Sequence, residues 1–232
     1  MSDKKIIIVL TSHTELGDSG RATGFYYEEM AAPYSIFADA GFEVELASLQ
    51  GGEPAYDPGS LPTAEKQTAA IKRFLKDRHG LSKLAKTQAV ADISATAYAG
   101  IFLAGGHGAM WDFPECAALA KLLGEFCAAG KVVSAVCHGP AGLLSAKDAA
   151  GNSIIAGKQV TGFSNEEEAM TGLAGIVPFM LQDSLAASGA YTSGPRFRPY
   201  SVVDGNLVTG QNPASSTVTA ENVVKVLNDV NR

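Results

Sequence analysis

Short apolar runs alternate with longer segments of helical periodicity along most of the chain. Residues 6–10 and 132–136 are almost entirely apolar, which is typical of strands that are buried on both faces of a parallel sheet. Residues 25–40 have helical spacing and end at Gly41, a residue type favoured just after a helix. Because strands and helices alternate, the pattern predicts an α/β fold with a doubly wound, mostly parallel sheet and helices on both faces.

The remaining elements follow from the same periodicities and from turn residues. Strands are predicted at 42–47, 98–104 and 159–162, a hairpin at 202–208, an acidic turn at 165–168, and helices at 64–78, at 112–130 and from Asn212-Pro213 onward. Asp112 and Glu115 have the spacing of a capping box. Residues 51–95 are too long for a plain connection and predict a small inserted cap. We therefore expect one domain over residues 1–232, with an insertion at about 51–95.

Composition and charge exclude several classes of function. The chain has 232 residues, of which 46% are hydrophobic, and its net charge is −6 without a Lys/Arg-rich block. Nucleic acid and anionic membranes are therefore not expected as partners. The apolar run at 6–10 is too short for a signal peptide, and no run reaches membrane-spanning length. Three cysteines without regular spacing do not form a disulfide framework, so we expect a cytoplasmic protein.

The most informative position is Cys137, which ends the predicted strand 132–136. His138, Gly139 and Pro140 follow it directly, and then a segment compatible with a helix. A strand that turns at once into a helix leaves the corner residue on a tight turn at the carboxyl end of the sheet, as in a nucleophile elbow. The helix N-terminus would favour the thiolate, which is the reactive form. We therefore interpret Cys137 as a catalytic nucleophile.

A thiolate nucleophile needs a group that exchanges its proton. His138 is adjacent to Cys137, and its backbone N–H is placed to stabilise an oxyanion. A histidine that acts as a base is usually oriented by a carboxylate. Glu166, Glu167 and Glu168 follow a strand end, and the spacing does not choose among them.

A glycine-rich loop at 105–108 closes the predicted strand 98–104. Glycine lets backbone amides approach a ligand closely, so the Gly106 N–H is the second candidate donor of an oxyanion hole. Gly105 and His107 are candidates for substrate binding. Trp111 either lines the pocket or packs in the core.

Two carboxylates, Glu28 and Glu29, lie in the first turns of the helix at 25–40. One of them would point into the pocket, where burial raises a carboxyl pKa. Cys116 and Cys127 have the helical spacing of core residues. The sequence contains no CxxC, HExxH or His/Asp cluster, so neither a metal site nor another cofactor is expected.

Four motifs together resemble a known family. They are Ala-Val-Cys-His-Gly-Pro at 135–140, Ala-Gly-Gly-His-Gly-Ala-Met-Trp-Asp-Phe-Pro at 104–114, Thr-Gly-Phe at 161–163 and Thr-Gly-Gln-Asn-Pro-Ala-Ser at 209–215. The combination resembles the PfpI-like superfamily, whose class I glutamine-amidotransferase-like fold is of the flavodoxin type. Within it, the chain is most similar to the branch of heat-shock chaperones and glyoxalase III, over nearly its whole length.

The resemblance implies a particular set of site residues. A glutamate four residues before a proline touches the thiol in that branch, and Glu29 before Pro33 matches it. Glu168 matches the acid of the triad, which would then be Cys137, His138 and Glu168. The zinc site of some chaperone members has no clear set of matching ligands here. The resemblance also implies a small aldehyde as substrate and a homodimer.

Three functions remain open at this point. The first is a glyoxalase that converts methylglyoxal to lactate without glutathione and without a cofactor. The second is a holdase chaperone, which depends on exposed apolar surface rather than on a nucleophile. The third is another cysteine-dependent enzyme of the superfamily, such as an amidase, a peptidase or a hydratase.

Overall fold

Seven strands form the central sheet of the protein in a computed structural model, which describes residues 4–230. Residues 1–3 and 231–232 of the predicted domain lie outside the described residues. The described strands are β1 (Lys5–Leu10), β2 (Glu43–Ser48), β3 (Gln88–Ala89), β4 (Gly100–Leu103), β5 (Val132–Val136), β6 (Gln159–Val160), β7 (Ala190–Tyr191), β8 (Ser201–Asp204) and β9 (Leu207–Gly210). The order in the central sheet is β3-β2-β1-β4-β5-β9-β8, and all neighbours are parallel except β8 and β9.

Helices fill the connections between these strands. They are α1 (Tyr27–Asp39), α2 (Ala69–Phe74), α3 (Arg78–Leu84), α4 (Ala109–Asp112), α5 (Ala117–Ala128), α6 (Asn165–Thr171), α7 (Leu181–Ser188) and α8 (Ser216–Val230). Among these described helices, none combines the length and the apolar character that a membrane span needs. The predicted α/β architecture with a mostly parallel sheet is confirmed.

The strand order places the chain reversal between β1 and β4. From β1 the chain moves to β2 and β3 on one side, and it then returns to β4 and β5 on the other. Because parallel crossovers are right-handed, the two directions put α1 and α5 on opposite faces of the sheet. Ligands in such folds bind beyond the carboxyl ends of the strands at this reversal. The loops that follow β1, β4 and β5 therefore meet at one place.

The core consists of the central strands and the helix faces packed on them. Residues 6–10 of β1 are fully buried, as the continuous apolar run predicts. Phe37 of α1 meets Phe102 of β4 edge-on, with ring centroids 5.8 Å apart. Phe126 of α5 is fully buried as well. Packing on both faces holds the carboxyl ends of the strands at fixed positions.

The predicted helix at 112–130 is wrong at its start. Two helices, α4 and α5, occupy this region, with Pro114 between them. The Cys116 sulfur caps α5 by accepting a hydrogen bond from the Leu119 N–H at 3.4 Å. Asp112 instead accepts hydrogen bonds from the Thr11 hydroxyl at 2.8 Å and the Ser12 N–H at 2.8 Å. Asp112 therefore bonds to residues distant in sequence instead of forming the predicted capping box.

The helix predicted within residues 51–95 also differs from the structure. Two short helices, α2 and α3, replace the single predicted helix at 64–78, because Asp77 caps α3 and interrupts the run. Phe74 of α2 packs edge-on against Tyr34 of α1, with centroids 5.0 Å apart. At its end the segment supplies β3, the edge strand of the central sheet. Residues 51–95 therefore pack on α1 and supply one edge of the sheet.

The region after β5 differs in two details. The strand predicted at 159–162 is the two-residue β6, which pairs with β7 in a separate small sheet. The acidic turn predicted at 165–168 is instead the first turn of α6. Ser164 and Glu167 form a capping box at its start, with the Ser164 hydroxyl accepting from the Glu167 N–H at 3.2 Å. The predicted hairpin at 202–208 is confirmed as β8 and β9.

We expect Phe102→Ala to lower the free energy of unfolding by about 3–5 kcal/mol, because the ring is fully buried between α1 and the sheet and its removal leaves a cavity. Urea denaturation measures this change. Val203→Ala is the control, since Val203 is 45% exposed on β8, and its effect should stay within about 0.5 kcal/mol. Equal effects of the two substitutions would contradict this account of the core.

Candidate active site

Cys137 lies on a strained turn directly after β5. Its φ angle is 59°, in the left-handed region that non-glycine residues seldom adopt. The surrounding backbone holds this turn: the Cys137 N–H donates to the Gly210 carbonyl at 3.0 Å, and the Phe163 N–H donates to the Cys137 carbonyl at 2.9 Å. Strain of this kind persists where neighbouring structure fixes it, and it is common at active sites. The structure thus has the backbone geometry of the predicted elbow.

The glycine loop after β4 runs against the same turn. A Cβ at Gly105 would lie 2.6 Å from the His138 nitrogen, so only glycine allows this approach. A Cβ at Gly106, where φ is 104°, would lie 2.3 Å from the Gly24 carbonyl oxygen. The glycine loop therefore packs against the turn, and Gly106, Cys137 and His138 line one cavity.

The Cys137 thiol, a histidine and a carboxylate form a chain of polar contacts. The His138 Nδ1 lies 3.3 Å from the Cys137 Sγ, and the His138 Nε2 lies 2.7 Å from the Glu168 Oε2. The other two candidate acids face elsewhere: Glu166 pairs with Arg196 at the surface, and Glu167 accepts from Ser164. The geometry therefore joins Cys137, His138 and Glu168, the combination that the family resemblance implied.

A second imidazole shares the same carboxylate. The His107 Nε2 lies 3.0 Å from the Glu168 Oε1, so each oxygen of Glu168 bonds one histidine. The Thr171 hydroxyl also donates to Oε1, at 3.1 Å. The two imidazole rings are 4.2 Å apart between centroids. The His107 side chain is 14% exposed and lines the cavity, whereas His138 is buried.

Charge is distributed unevenly over this network. Although burial raises the pKa of Glu168, the hydrogen bonds from His107 and His138 outweigh it and hold that pKa well below its usual range. Burial, together with the neighbouring His107, lowers the pKa of His138 to about 4. At neutral pH, His138 is therefore uncharged and donates its Nε2–H to an ionised Glu168. Its Nδ1 is then free to accept the thiol proton of Cys137.

Glu29 is the acid that reaches the thiol. Its Oε2 accepts from the Gly105 N–H at 2.7 Å, and the carboxyl interacts with the thiol of Cys137. Burial raises the pKa of Glu29 to about 8, despite opposing hydrogen bonds from Cys137 and Gly105. Glu28 instead bonds to Thr68. The carboxyl of Glu29 is therefore protonated at neutral pH.

The expectation that a helix N-terminus favours the Cys137 thiolate is wrong for the resting protein. Only a 3-10 helix, Gly139–Leu143, follows the turn. Burial and the neighbouring Glu29 carboxyl raise the pKa of Cys137 well above its usual value. The thiol form prevails, so a nearby base must remove its proton before or during reaction.

A cavity of about 330 Å³ opens onto this group. Of the predicted residues, Gly106, His107, Cys137 and His138 line it. Trp111 does not: its ring stacks on His13 with centroids 5.0 Å apart. Gly105 lies behind the cavity wall, where it bonds to Glu29.

Sequence reasoning missed most of the cavity wall. The residues it did not assign to the site are Tyr26, Phe163, Thr171, Phe197, Asn212, Pro213 and Ala214. Phe163 and the segment 212–214 belong to motifs that carried the family resemblance, so that signal could have found them. Tyr26 lies at the start of the predicted helix at 25–40, and Phe197 lies in a segment without a recognisable pattern. Neither position indicates a cavity wall, and only the folded chain brings these residues to Cys137.

The same side chains include a donor set that suits a metal ion. Ligand-type atoms of His107, His138 and Glu168 lie within 4.8 Å of one another, and two imidazoles with a carboxylate can hold Zn²⁺. No such cluster was predicted from the sequence. The hydrogen bonds of both histidines to Glu168 satisfy these groups without an ion.

Known proteins resemble this chain over most of its length. The model of the DJ-1/PfpI family matches residues 21–226. Glutathione-independent glyoxalase HSP31 of Saccharomyces cerevisiae is 34% identical over 238 residues, which cover 98% of this chain and 99% of the relative.

Two solved structures resemble the fold over nearly the whole chain. The Rapid Encystment Protein 24 KDa of Francisella tularensis has a TM-score of 0.91 at 37% identity, covering 97% of this chain and 99% of that one. Glyoxalase III of Candida albicans has a TM-score of 0.88 at 29% identity, covering 97% and 98%.

We expect the stability of the wild type, relative to a Glu29→Gln variant, to fall as pH rises from 5 to 8. The folded state keeps the Glu29 proton up to about pH 8, whereas the unfolded chain releases it near the usual value of 4.5. The relative loss should approach about 1.4 kcal/mol per pH unit. Urea denaturation of both proteins at each pH measures it. A difference that does not vary with pH would contradict a protonated Glu29.

Proposed function

Because the chain belongs to the DJ-1/PfpI family, we propose that it is a glutathione-independent glyoxalase, which converts methylglyoxal to lactate with Cys137 as nucleophile. One observation carries the proposal: the Cys137 thiol lies 3.3 Å from the Nδ1 of His138, whose Nε2 is 2.7 Å from Glu168, beside an accessible cavity. The yeast relative and the Candida structure, which carry this activity in their names, support it.

The reaction begins with attack of the sulfur on the aldehyde carbon. His138 Nδ1 takes the thiol proton as the carbon–sulfur bond forms, which gives a hemithioacetal. The aldehyde oxygen gains charge in this step and accepts hydrogen bonds from the Gly106 and His138 N–H groups. The imidazolium that forms is stabilised by the ionised Glu168. It then passes its proton to the former aldehyde oxygen, which completes the hemithioacetal and leaves His138 neutral again.

The second step moves a proton from the former aldehyde carbon to the neighbouring keto carbon. A base removes the proton from the former aldehyde carbon, C1. The electron pair of the broken C–H bond then forms the C1–C2 double bond of an enediol. Protonation at C2 then gives a thioester of lactate. We assign the base to His138, and we assign binding of the keto oxygen to His107, which lines the cavity. Water finally hydrolyses the thioester and releases lactate and the free thiol.

Glu29 acts on the sulfur rather than on the substrate carbons. A protonated carboxyl beside Cys137 donates a hydrogen bond to the sulfur as negative charge develops there. An ionised carboxyl at this place would instead repel the thiolate. The burial that raises the pKa of Glu29 therefore serves the chemistry of Cys137.

The two rival functions have less support from the structure. A holdase needs contiguous apolar surface, whereas four large apolar residues of the described chain are exposed; they are Tyr56, Met170, Phe197 and Val203. An amidase or hydratase could use the same thiol, but the relatives named as glyoxalases match 98% and 95% of this chain.

Three expectations from the sequence also belong to this proposal. They are a homodimer, a cytoplasmic location and a single domain over residues 1–232. Static light scattering tests the first, cell fractionation the second, and a single cooperative unfolding transition the third.

We expect the purified protein to form lactate from methylglyoxal without glutathione, and Cys137→Ala to reduce the rate to background, because no other group supplies the hemithioacetal. Enzymatic lactate determination measures both rates. Cys127→Ala is the matched control: Cys127 lies at the end of α5, outside the cavity, and its loss should leave the rate unchanged. Absence of turnover in the folded, reduced wild type would refute the proposed function.

We expect Glu168→Gln to lower kcat by about 10²–10⁴-fold, because general acid–base catalysis contributes that much and the amide cannot accept from both imidazoles as a carboxylate does. Steady-state kinetics with methylglyoxal measure the effect. Glu166→Gln is the control, since Glu166 pairs with Arg196 at the surface. A kcat for Glu168→Gln within a factor of two of the wild type would contradict the role of Glu168.

A further inference from the structure

The cavity is larger than the smallest substrate needs. Its volume is about 330 Å³, within the range of about 300–1,000 Å³ that holds drug-sized ligands. Methylglyoxal has only three carbons, and its methyl group would leave most of this space unfilled. The surplus space points to a substrate with a larger substituent on the keto carbon.

The walls of that surplus space are aromatic and apolar. Phe163 lies against His138, with centroids 4.5 Å apart, and Phe197 meets Phe163 edge-on at 6.2 Å. Tyr26 and Pro213 also line the cavity. Such walls suit a planar apolar group, because aromatic rings favour stacked and edge-on contacts with one another.

Charge selects against anionic substituents. No lysine or arginine is among the described residues that line the cavity. The carboxyls of Glu167 and Glu168 lie just behind the wall, and both are buried. A substrate with a phosphate or carboxylate would therefore lack a cationic partner and would meet negative potential.

Phe197 is held in place by its backbone rather than by packing. Its ring is 42% exposed, yet its φ angle is 52°, a left-handed conformation that costs free energy for a non-glycine residue. The Phe197 N–H donates to the Glu167 Oε1 at 2.6 Å. Asn212 donates to the same oxygen at 2.8 Å, and Gln211 donates to Oε2 at 3.0 Å. A buried carboxyl thus presents this ring to the cavity.

We infer that the site serves 2-oxoaldehydes with a planar apolar substituent and that Phe197 is the residue that selects them; this inference rests on the proposed function. The chemistry is unchanged and redox-neutral. The aldehyde carbon of an arylglyoxal is oxidised to the acid level while its keto carbon is reduced to the alcohol. Water supplies the added oxygen, and phenylglyoxal gives mandelate.

Initial rates with phenylglyoxal and methylglyoxal, measured as mandelate and lactate, test the inference. We expect kcat/KM for phenylglyoxal to exceed that for methylglyoxal by about tenfold, mainly through a lower KM, as one to two favourable aromatic contacts allow. Phe197→Ala should remove most of this ratio, again through KM, and Phe197→Tyr should restore it. Val203→Ala, another exposed apolar side chain but on the edge strand β8, should leave the ratio unchanged.

The outcomes separate the inference from the proposed function. Turnover of methylglyoxal with an equal or lower kcat/KM for phenylglyoxal would overturn the inference and leave the glyoxalase proposal standing. A wild-type preference that Phe197→Ala does not change would overturn the selecting role of Phe197. Absence of turnover with both substrates in the folded protein would refute the proposed function itself.

Discussion

The left-handed backbone at Cys137 is the constraint on which the site depends. Because φ is 59°, the chain leaves β5 in a direction that an extended or helical residue would not take, and the sulfur and the His138 ring lie on the same side. Adjacent residues in a strand would point to opposite faces. Hydrogen bonds to Gly210 and from Phe163 hold the turn, so β9 and the loop after β6 must be in place before the site exists.

Three buried glutamates surround this turn, and each has a different environment. Glu29 meets one backbone N–H and a thiol, so burial dominates and the carboxyl keeps its proton. Glu168 meets two imidazoles and stays ionised. Glu167 accepts hydrogen bonds from the backbone and side chains of the cavity rim, including Phe197 and Asn212. One residue type thus supplies a hydrogen-bond donor to the sulfur, a carboxylate that orients His138 and a structural anchor, because the hydrogen-bond partners of the three carboxyls differ.

The sequence could predict the parts of the site that depend on local pattern. The run 132–136 followed by Cys137 and His138 indicated the elbow, and the glycines at 105–106 indicated close backbone approach. Spacing alone could not distinguish Glu29 and Glu168 from the glutamates next to them. The sequence of a helix turn or of a strand end does not show which of several adjacent carboxyls is buried. The family resemblance chose between them. The position of Trp111 stayed open in the sequence, because a tryptophan after a glycine loop suits a cavity wall and a core equally. In the structure its ring stacks on His13 and does not line the cavity.

The sequence by itself determined the α/β class, the strand that carries Cys137 and the edge of the sheet where the site lies, because apolar periodicity and turn residues act over a few neighbouring positions. Only the tertiary structure decided the protonation of Glu29, the sharing of Glu168 by two histidines and the position of Phe197 at the cavity. These depend on contacts between segments separated by 30 residues or more, such as Phe197 with Glu167 and Gly105 with Glu29. Burial and hydrogen bonding at such contacts are properties of the folded chain, and no local pattern encodes them.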